Sequence, residues 1–272
     1  MLHIPAYWCP YFDVNEYRTN FGDIMTPYIL KQYGVDAQYT EIKPMFCGIG
    51  SILHTITDSN IKVWTSGFLF PTHTITNEII AIRGKLSKEF TSSRNDPNIT
   101  LGDGGLLISR VFNPSVKKIY KLGIVFNFYD EQQIDKTQYK VLSHKDVLAI
   151  YPYDSVEDVV SKILMCENII SSSLHGLVVA DSYKIPNHIF CTNFSNYHIH
   201  KRQASFKFRD YYSIYDLEYN HETDKLVLRP DISLEECLAS LLTYTTRPNI
   251  DTIIDNLENS IYKLKYQCIQ SL

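Results

Sequence analysis

The chain has 272 residues, a mass of 31.5 kDa and a formal net charge of −4 at pH 7. This acidic balance argues against nucleic-acid binding, which needs a basic excess on one face. No apolar run reaches the roughly 18 residues of a membrane-spanning helix, and residues 1–10 lack the basic segment and apolar core of a secretory signal. We therefore expect a globular cytoplasmic protein of one large domain or two ordinary ones.

Cysteines and histidines do not form a metal-binding pattern. The two closest cysteines, Cys166 and Cys191, are 25 positions apart, so zinc-ribbon spacing is absent. Free thiols in a reducing compartment are expected. His198 and His200 are close together, but in a polar stretch without a neighbouring carboxylate pair. We therefore expect no metal site.

The first half alternates short apolar runs with segments of helical periodicity, a pattern typical of α/β layering. Two of the strand-like runs carry Gly and Ser near their ends. The predicted elements are strand 2–8, helix 22–33, strands 44–53, 61–70 and 79–82, a helix beginning at 85–90 and a strand region at 98–109.

A boundary is predicted at Asn113-Pro114-Ser115, and the second half continues the alternation. The sequence thus predicts two Rossmann-like domains, 1–114 and 115–272, with a cleft between the carboxyl ends of their strands as the site. The predicted elements are strand regions 119–129 and 140–151, helix 155–166, strand 168–171, helix 174–183, strand 187–191, a helix near 234–242 and a final helix at 248–270.

Three serines, 171–173, end a predicted buried strand and precede a helix. The first turn of a helix has free N–H groups and a partial positive charge, so Ser172 and Ser173 can help to bind an anion. His175 and Gly176 lie in that turn, where His175 would face a cleft and Gly176 would allow close approach. A capped helix with a purely local histidine is the alternative.

Two further stretches place polar residues beside predicted helices. Arg83 leaves a strand before Gly84, a position suited to bidentate binding of carboxylate or phosphate; a surface salt bridge is the alternative. Asn20-Phe21-Gly22-Asp23 forms a tight turn, with Asp23 as a base or as a simple N-cap.

Three weaker segments complete the candidates. Leu101-Gly102-Asp103 and Trp64-Thr65-Ser66-Gly67 each close a strand, as ordinary turns also do. Residues 205–212 interleave basic and aromatic side chains, including Lys207, Arg209 and Tyr211. Alone, this stretch is predicted to be an edge strand or a loop with a solvated face.

Taken together, these segments resemble the polysaccharide pyruvyl transferase family over roughly residues 15–215. Each motif is short, but their order and spacing are specific. The matching pieces are Asn20-Phe21-Gly22-Asp23, Trp64-Thr65-Ser66-Gly67, Ile82-Arg83-Gly84-Lys85-Leu86-Ser87, Leu101-Gly102-Asp103 and Ser171-Ser172-Ser173-Leu174-His175-Gly176.

The resemblance implies a GT-B-like fold, with residues 1–114 on the acceptor side and 115–272 on the donor side. It implies transfer of a pyruvyl group from phosphoenolpyruvate, the donor substrate, to hydroxyls of a cell-surface polysaccharide or its lipid-linked precursor, without another cofactor. It places His175 and Arg83 near the donor, and the enzyme in the cytoplasm or at the inner face of the membrane.

The chemistry of the residues is compatible with this reaction. Phosphoenolpyruvate is strongly anionic, so a local basic cluster must hold it. Histidine has the right unperturbed pKa for an acid–base role, and Asp23 would deprotonate a sugar hydroxyl. The predicted site comprises catalytic His175 and Asp23, donor-binding Arg83, Ser172, Ser173, Gly176, Lys207 and Arg209, and acceptor-binding Asn20, Gly22, Ser66, Asp103 and Tyr211.

Two other classes of function remain open. A GT-B glycosyltransferase using a nucleotide sugar would need an acidic ribose contact, such as Glu167 or Asp181, and no nucleotide signature stands out. A non-catalytic glycan-binding protein would hold sugar through tyrosines such as Tyr211 and Tyr212.

Overall fold

The computed structural model describes residues 1–9, 19–192, 198–220 and 223–271, with the side chains at 133, 136 and 198–204 outside that description. The predicted α/β class is confirmed: the described chain contains two parallel sheets, one of six strands and one of five. No helix among the described residues combines the length and apolar character needed to cross a membrane.

The first sheet has the strand order β2-β1-β3-β4-β5-β6, with every pair parallel. Its buried apolar runs, such as the fully buried β5, are typical of parallel sheets covered on both faces. The strands are β1 (Leu2–Tyr7), β2 (Val35–Tyr39), β3 (Phe46–Cys47), β4 (Lys62–Trp64), β5 (Ile79–Ile82) and β6 (Thr100–Leu101), with helices α1 (Met25–Gln32), α2 (Lys85–Lys88) and α3 (Ile108–Val111).

The second sheet has the order β11-β10-β9-β7-β8, again all parallel. Helix α5 shows why such segments are helical: Ser155 caps its start, and four apolar side chains at helical spacing are buried. The strands are β7 (Tyr120–Val125), β8 (Val147–Ile150), β9 (Cys166–Ser171), β10 (Asn187–Thr192) and β11 (Leu226–Leu228), with helices α4 (Phe128–Gln133), α5 (Val156–Leu164), α6 (Leu174–Ser182), α7 (His198–Tyr212), α8 (Leu234–Ala239) and α9 (Ile250–Gln270).

Both sheets reverse their winding direction at an equivalent place. In the first sheet, strands are added on one side of β1 and then, from β3 onward, on the other side. In the second sheet, the same change occurs between β7 and β9. Open α/β sheets bind ligands beside the carboxyl ends of the strands at such a switch point. The fold therefore marks two loop pairs: those after β1 and β3, and those after β7 and β9.

Residues 205–212 differ from the sequence expectation of an edge strand or loop, because they form the last turns of helix α7. The alternation of basic and aromatic side chains suggests a period of two. However, the buried residues Phe208, Tyr211, Tyr212 and Tyr215 are spaced at i, i+3, i+4 and i+7, which is the helical period. The aromatic side chains thus anchor one face of a helix.

Helix α9 was expected to belong to the second half of the chain, but it packs on the first sheet. It contacts β5 and β6, and the Trp64 indole Nε1 donates a hydrogen bond of 2.9 Å to the Ser260 Oγ. Its buried stripe follows helical spacing from Ile250 to Cys268. The chain thus returns to its first half at its end. The predicted strand region 98–109 contains only the two-residue strand β6, and residues 104–109 are helical.

Candidate active site

The two switch points meet. The loop after β1 reaches the loop after β8, where the Phe21 amide donates to the Pro152 carbonyl at 2.9 Å. Gly22 lies directly against the side chain of His175: a Cβ at position 22 would come within 2.5 Å of the imidazole Cγ and closer still to Nδ1. The predicted turn at residues 20–23 and the predicted serine–histidine motif therefore form one site.

His175 is only 8% exposed, and its two ring nitrogens have different surroundings. Nε2 lies 3.8 Å from the Asp103 Oδ2, and neither atom has a hydrogen-bond partner within the described structure. Nδ1 is on the side of Gly22. A small closure would let Nε2–H donate to Asp103, which would fix the tautomer and leave Nδ1 to exchange protons.

Burial lowers the pKa of His175 below its ordinary value of 6.5; the Asp103 carboxylate opposes this effect, while Lys207 and Arg83 add to it. The imidazole is therefore mainly neutral at pH 7 without a ligand. A bound anion beside it would favour the protonated form, since opposite charges stabilise each other.

Asp23 is buried, with 7% exposure, in the turn that precedes helix α1. Burial raises its pKa to about 7, with the positive charge of Lys207 opposing the rise and Asp103 adding to it. A carboxyl group with this pKa exchanges a proton readily at neutral pH. Asp23 can thus exchange a proton near neutral pH, and it comes from the other half of the chain from His175.

Lys207 supplies a positive charge that acts on both Asp23 and His175. It is half-buried on α7, and the described residues offer it no salt bridge within 4 Å. Burial lowers its pKa to about 8, with Arg83 adding to the fall and Asp130 and Asp23 opposing it. An ammonium group that lacks a close carboxylate partner is suited to an anionic ligand.

Asp103 is fully buried and is oriented by its own loop, because its Oδ1 accepts a hydrogen bond of 2.9 Å from the Gly105 amide. Beside it lies Thr65, whose buried Oγ1 has no partner in the described structure. Thr65 has φ of 63°, an uncommon conformation for a β-branched residue. Gly104 allows the two loops to approach, because a Cβ there would collide with the Thr65 hydroxyl.

The serines build the start of α6 rather than an exposed rim. The Ser171 Oγ accepts from the Ser173 amide at 3.0 Å and donates to the Ser173 carbonyl at 2.7 Å. The Ser172 Oγ accepts from the Asn127 amide at 3.0 Å. Gly176 packs on Ser171 and Val125, where a Cβ would not fit. The first turn of α6 is thereby held against the ends of β7 and β9, with its positive pole at the site.

Arg83 is 1% exposed, and its guanidinium group is occupied by the protein. Its Nε donates to Asp210 at 2.9 Å, Nη1 to the Ser51 Oγ at 2.6 Å and Nη2 to the Phe68 carbonyl at 2.6 Å. The predicted contact with the donor stays a prediction. The geometry favours a positioning role, because the pair with Asp210 ties the end of β5 to helix α7.

The residues that follow Arg83, 84–87, also attach helix α7 to the first sheet. The Asp210 carboxylate also accepts from the amide and the hydroxyl of Ser87, both at 2.6 Å. Gly84 packs against the Asp210 backbone, which leaves no room for a Cβ. The Lys85 amide donates to the Ser213 Oγ at 2.9 Å. The motif therefore holds α7, and with it Lys207, against the first sheet.

Four other predicted residues make structural contacts or face away from Lys207. Asn20 shapes the turn, because its Oδ1 accepts from the Gly22 amide at 3.0 Å. The Ser66 hydroxyl donates to the Gly48 carbonyl in the interior. The Tyr211 hydroxyl bonds to Asp181 at 2.9 Å in the core, which favours a structural role over acceptor binding. Arg209 is exposed, about 200° around α7 from Lys207.

The sequence analysis missed two contributors. Asn127 caps α4, and its side-chain amide contacts the Ser172 carbonyl at 3.2 Å. The second is Thr65, whose left-handed backbone conformation could not be predicted from its position at the end of a strand. Among the described residues, no group of three or more His, Cys, Asp or Glu side chains could hold a metal ion. The side chains of His198 and His200 lie outside the described residues.

Comparison with known proteins adds little to this geometry. No family model matches the sequence, and no solved structure gives a significant match. An uncharacterized protein of Acanthamoeba polyphaga mimivirus is 26% identical over 193 residues, which cover 68% of this chain and 64% of that protein. The match thus spans less than two thirds of the relative's length, and it assigns no activity.

Proposed function

We propose that the protein is a GT-B-like transferase that moves a pyruvyl group from phosphoenolpyruvate to sugar hydroxyls of a polysaccharide or its lipid-linked precursor, forming a pyruvate ketal. One observation carries the proposal. Gly22, the chain neighbour of Asp23, packs against His175 from the other half of the chain, and the pKa values of Asp23 and His175 are both shifted by the charges of Lys207 and Asp103.

This arrangement suits an anionic donor. Lys207 and the first turn of α6 supply positive charge on two sides, and each charge-assisted hydrogen bond contributes roughly 1.5–3 kcal/mol. Arg83 contributes through the field it exerts on Lys207 and His175.

The reaction needs three proton transfers, of which a site of this kind can serve the first two. A proton adds to the methylene carbon of the donor, and a sugar hydroxyl forms a bond to the neighbouring carbon while losing its own proton. The bond from that carbon to the phosphate oxygen then breaks, and inorganic phosphate leaves. A second hydroxyl adds to the same carbon, and its proton goes to phosphate or solvent.

The directions of the pKa shifts favour one division of labour. Asp23, with a pKa of about 7, carries a proton in about half of the molecules at neutral pH and can act as the acid toward the donor. His175, whose pKa is lowered by burial, is neutral before the donor binds and can accept the hydroxyl proton, with the Asp103 carboxylate 3.8 Å from its Nε2. This differs from the expectation from the sequence, in which Asp23 takes the proton of the sugar hydroxyl and His175 either protonates the donor or stabilises the leaving phosphate.

The test is phosphate release from phosphoenolpyruvate in the presence of candidate sugar acceptors, with UDP-sugars and CDP-sugars as competing donors. His175→Gln is expected to reduce the rate by 10²–10⁴, the usual value of a positioned acid–base group. A rate within about threefold of wild type would remove His175 from the mechanism. Turnover of a nucleotide sugar without use of phosphoenolpyruvate would instead support the glycosyltransferase alternative.

A further inference from the structure

A cavity of about 190 Å³ lies on the second sheet away from His175. It is bounded by the start of β10, by the segment after α7 and by the segment between α8 and α9. In a parallel sheet, the amino ends of the strands lie at the opposite edge from the carboxyl ends. Because His175 follows the carboxyl end of β9, the cavity is separate from the candidate active site.

We propose that this cavity binds one ring of a neutral saccharide. Its volume is that of roughly six water molecules in the liquid, which suits one sugar ring. Hydroxyl groups of Ser240, Thr243 and Thr245 line it together with the rings of Tyr219 and Tyr244. Aromatic faces with hydroxyls and carboxylates form a surface complementary to a sugar, which offers C–H groups on its faces and hydroxyls at its edge.

The floor of the cavity is rigid and electrically balanced. The Arg247 Nε lies 3.0 Å from both carboxylate oxygens of the buried Asp181, and its Nη2 donates to the Asn187 Oδ1 at 3.1 Å. The Tyr212 and Tyr244 rings cover the guanidinium group, each with its centroid 4.9 Å away. A floor held by such a network is preorganised, which lowers the entropic cost of binding.

The charges at the rim exclude an anion. Arg247 is compensated by Asp181, and burial lowers the pKa of His188, with Arg247 adding and Asp224 opposing. Glu218 and Asp224 are exposed, and hydrogen bonds from Thr223 and Asn220 lower the pKa of Asp224, so it stays ionised. The cavity thus presents two carboxylates without a free cation among its lining residues.

The same geometry disfavours an organic cation. Arg247 occupies one face of both Tyr212 and Tyr244, so a cationic ligand stacked on the other face would lie close to a like charge. The carboxylates of Glu218 and Asp224 can instead accept hydrogen bonds from sugar hydroxyls, and such bonds are stronger than those between two neutral groups. A neutral polyol satisfies the acceptors without an added charge.

The test is a titration of the whole protein with glucose, galactose, mannose and N-acetylglucosamine, followed through the NMR signals of the His188 ring. At least one sugar is expected to shift these signals with a millimolar Kd. Glu218→Gln and Thr243→Val should each weaken binding by about fivefold or more. Thr246→Val, which changes an exposed neighbour outside the cavity, is the matched control and should leave the Kd unchanged.

The proposal fails if no sugar shifts the His188 signals up to about 50 mM, or if the Kd is the same in the cavity variants as in wild type. Saturation by inorganic phosphate or choline, with no response to sugars, would also overturn it. The proposal does not depend on pyruvyl transfer, because His175→Gln should abolish phosphate release and leave this binding intact. The experiments therefore distinguish a failure of the saccharide-binding proposal from a failure of the pyruvyl-transfer proposal.

Discussion

Replacing Gly22 by alanine tests whether the two halves of the site must meet at His175. The new Cβ would lie 2.5 Å from the imidazole Cγ, whereas ordinary contact begins near 3.4 Å. The ring or the loop must therefore move by about 1 Å. On its other side His175 faces Asp103 at 3.8 Å, so a retreat of the ring changes the pairing of its Nε2 as well.

The expected cost of this displacement is mainly catalytic. A misplacement of about 1 Å reduces an enzymatic rate by roughly 10². Overpacking of a buried contact also destabilises the fold by about 1–3 kcal/mol. Gly22→Ala should therefore lower kcat for phosphate release by roughly two orders of magnitude while the protein stays folded.

Gly34→Ala is the matched control. Gly34 has φ of 77°, so alanine there costs about 1–2 kcal/mol of backbone strain, but its Cβ would meet only the Lys265 Nζ at 3.8 Å. The two variants should thus lose similar stability in urea unfolding, while only Gly22→Ala loses activity. A Gly22→Ala enzyme with kcat within threefold of wild type would refute the close apposition of Gly22 and His175.

Three other substitutions probe the charges. Asp103→Asn should lower the pKa of His175 further, because the Asp103 carboxylate raises it, and should reduce kcat at least tenfold. An unchanged His175 pKa in an NMR titration, together with an unchanged rate, would contradict this prediction. Wild-type stability should fall as pH rises from about 4 to 7, because native Asp23 keeps its proton up to a pKa of about 7 and the unfolded chain releases it near 3.8. The loss is about 4 kcal/mol, and urea unfolding of Asp23→Asn should lack it. Asp210→Asn leaves the Arg83 guanidinium buried without its carboxylate and should cost about 3–5 kcal/mol in chemical denaturation, whereas a loss below about 1 kcal/mol would show that the pair does not hold α7.

The predictable part of the fold is the part encoded by local apolar patterns. The runs at 79–82 and 187–191 are confirmed as β5 and β10, and the long periodic segment near the end is confirmed as α9. Strand β2 was missed, because the edge position of Val35–Tyr39 requires few apolar side chains. The pairing of α9 with the first sheet depends on tertiary contacts that no local pattern encodes.

The candidate site divides in the same way. The expectation of helix capping singled out the segment around His175 and the turn at Asp23, although neither α6 nor α1 has a side-chain hydrogen bond at its N-cap. The approach of Asp103 to His175 joins residues 72 positions apart in the sequence, so only the packed sheets reveal it. The pairing of Arg83 with Asp210 could not be predicted from the sequence either, because a guanidinium group binds a ligand carboxylate and a protein carboxylate through the same hydrogen bonds.

Calorimetric titration with phosphoenolpyruvate tests the central claim most directly, using wild type, Lys207→Met and the control Lys263→Met, a change at an exposed position of α9. The account predicts saturable binding to wild type and to the control, weakened at least tenfold by Lys207→Met because one charge-assisted contact is lost. Equal affinities in all three proteins, or no binding to any of them, would contradict it.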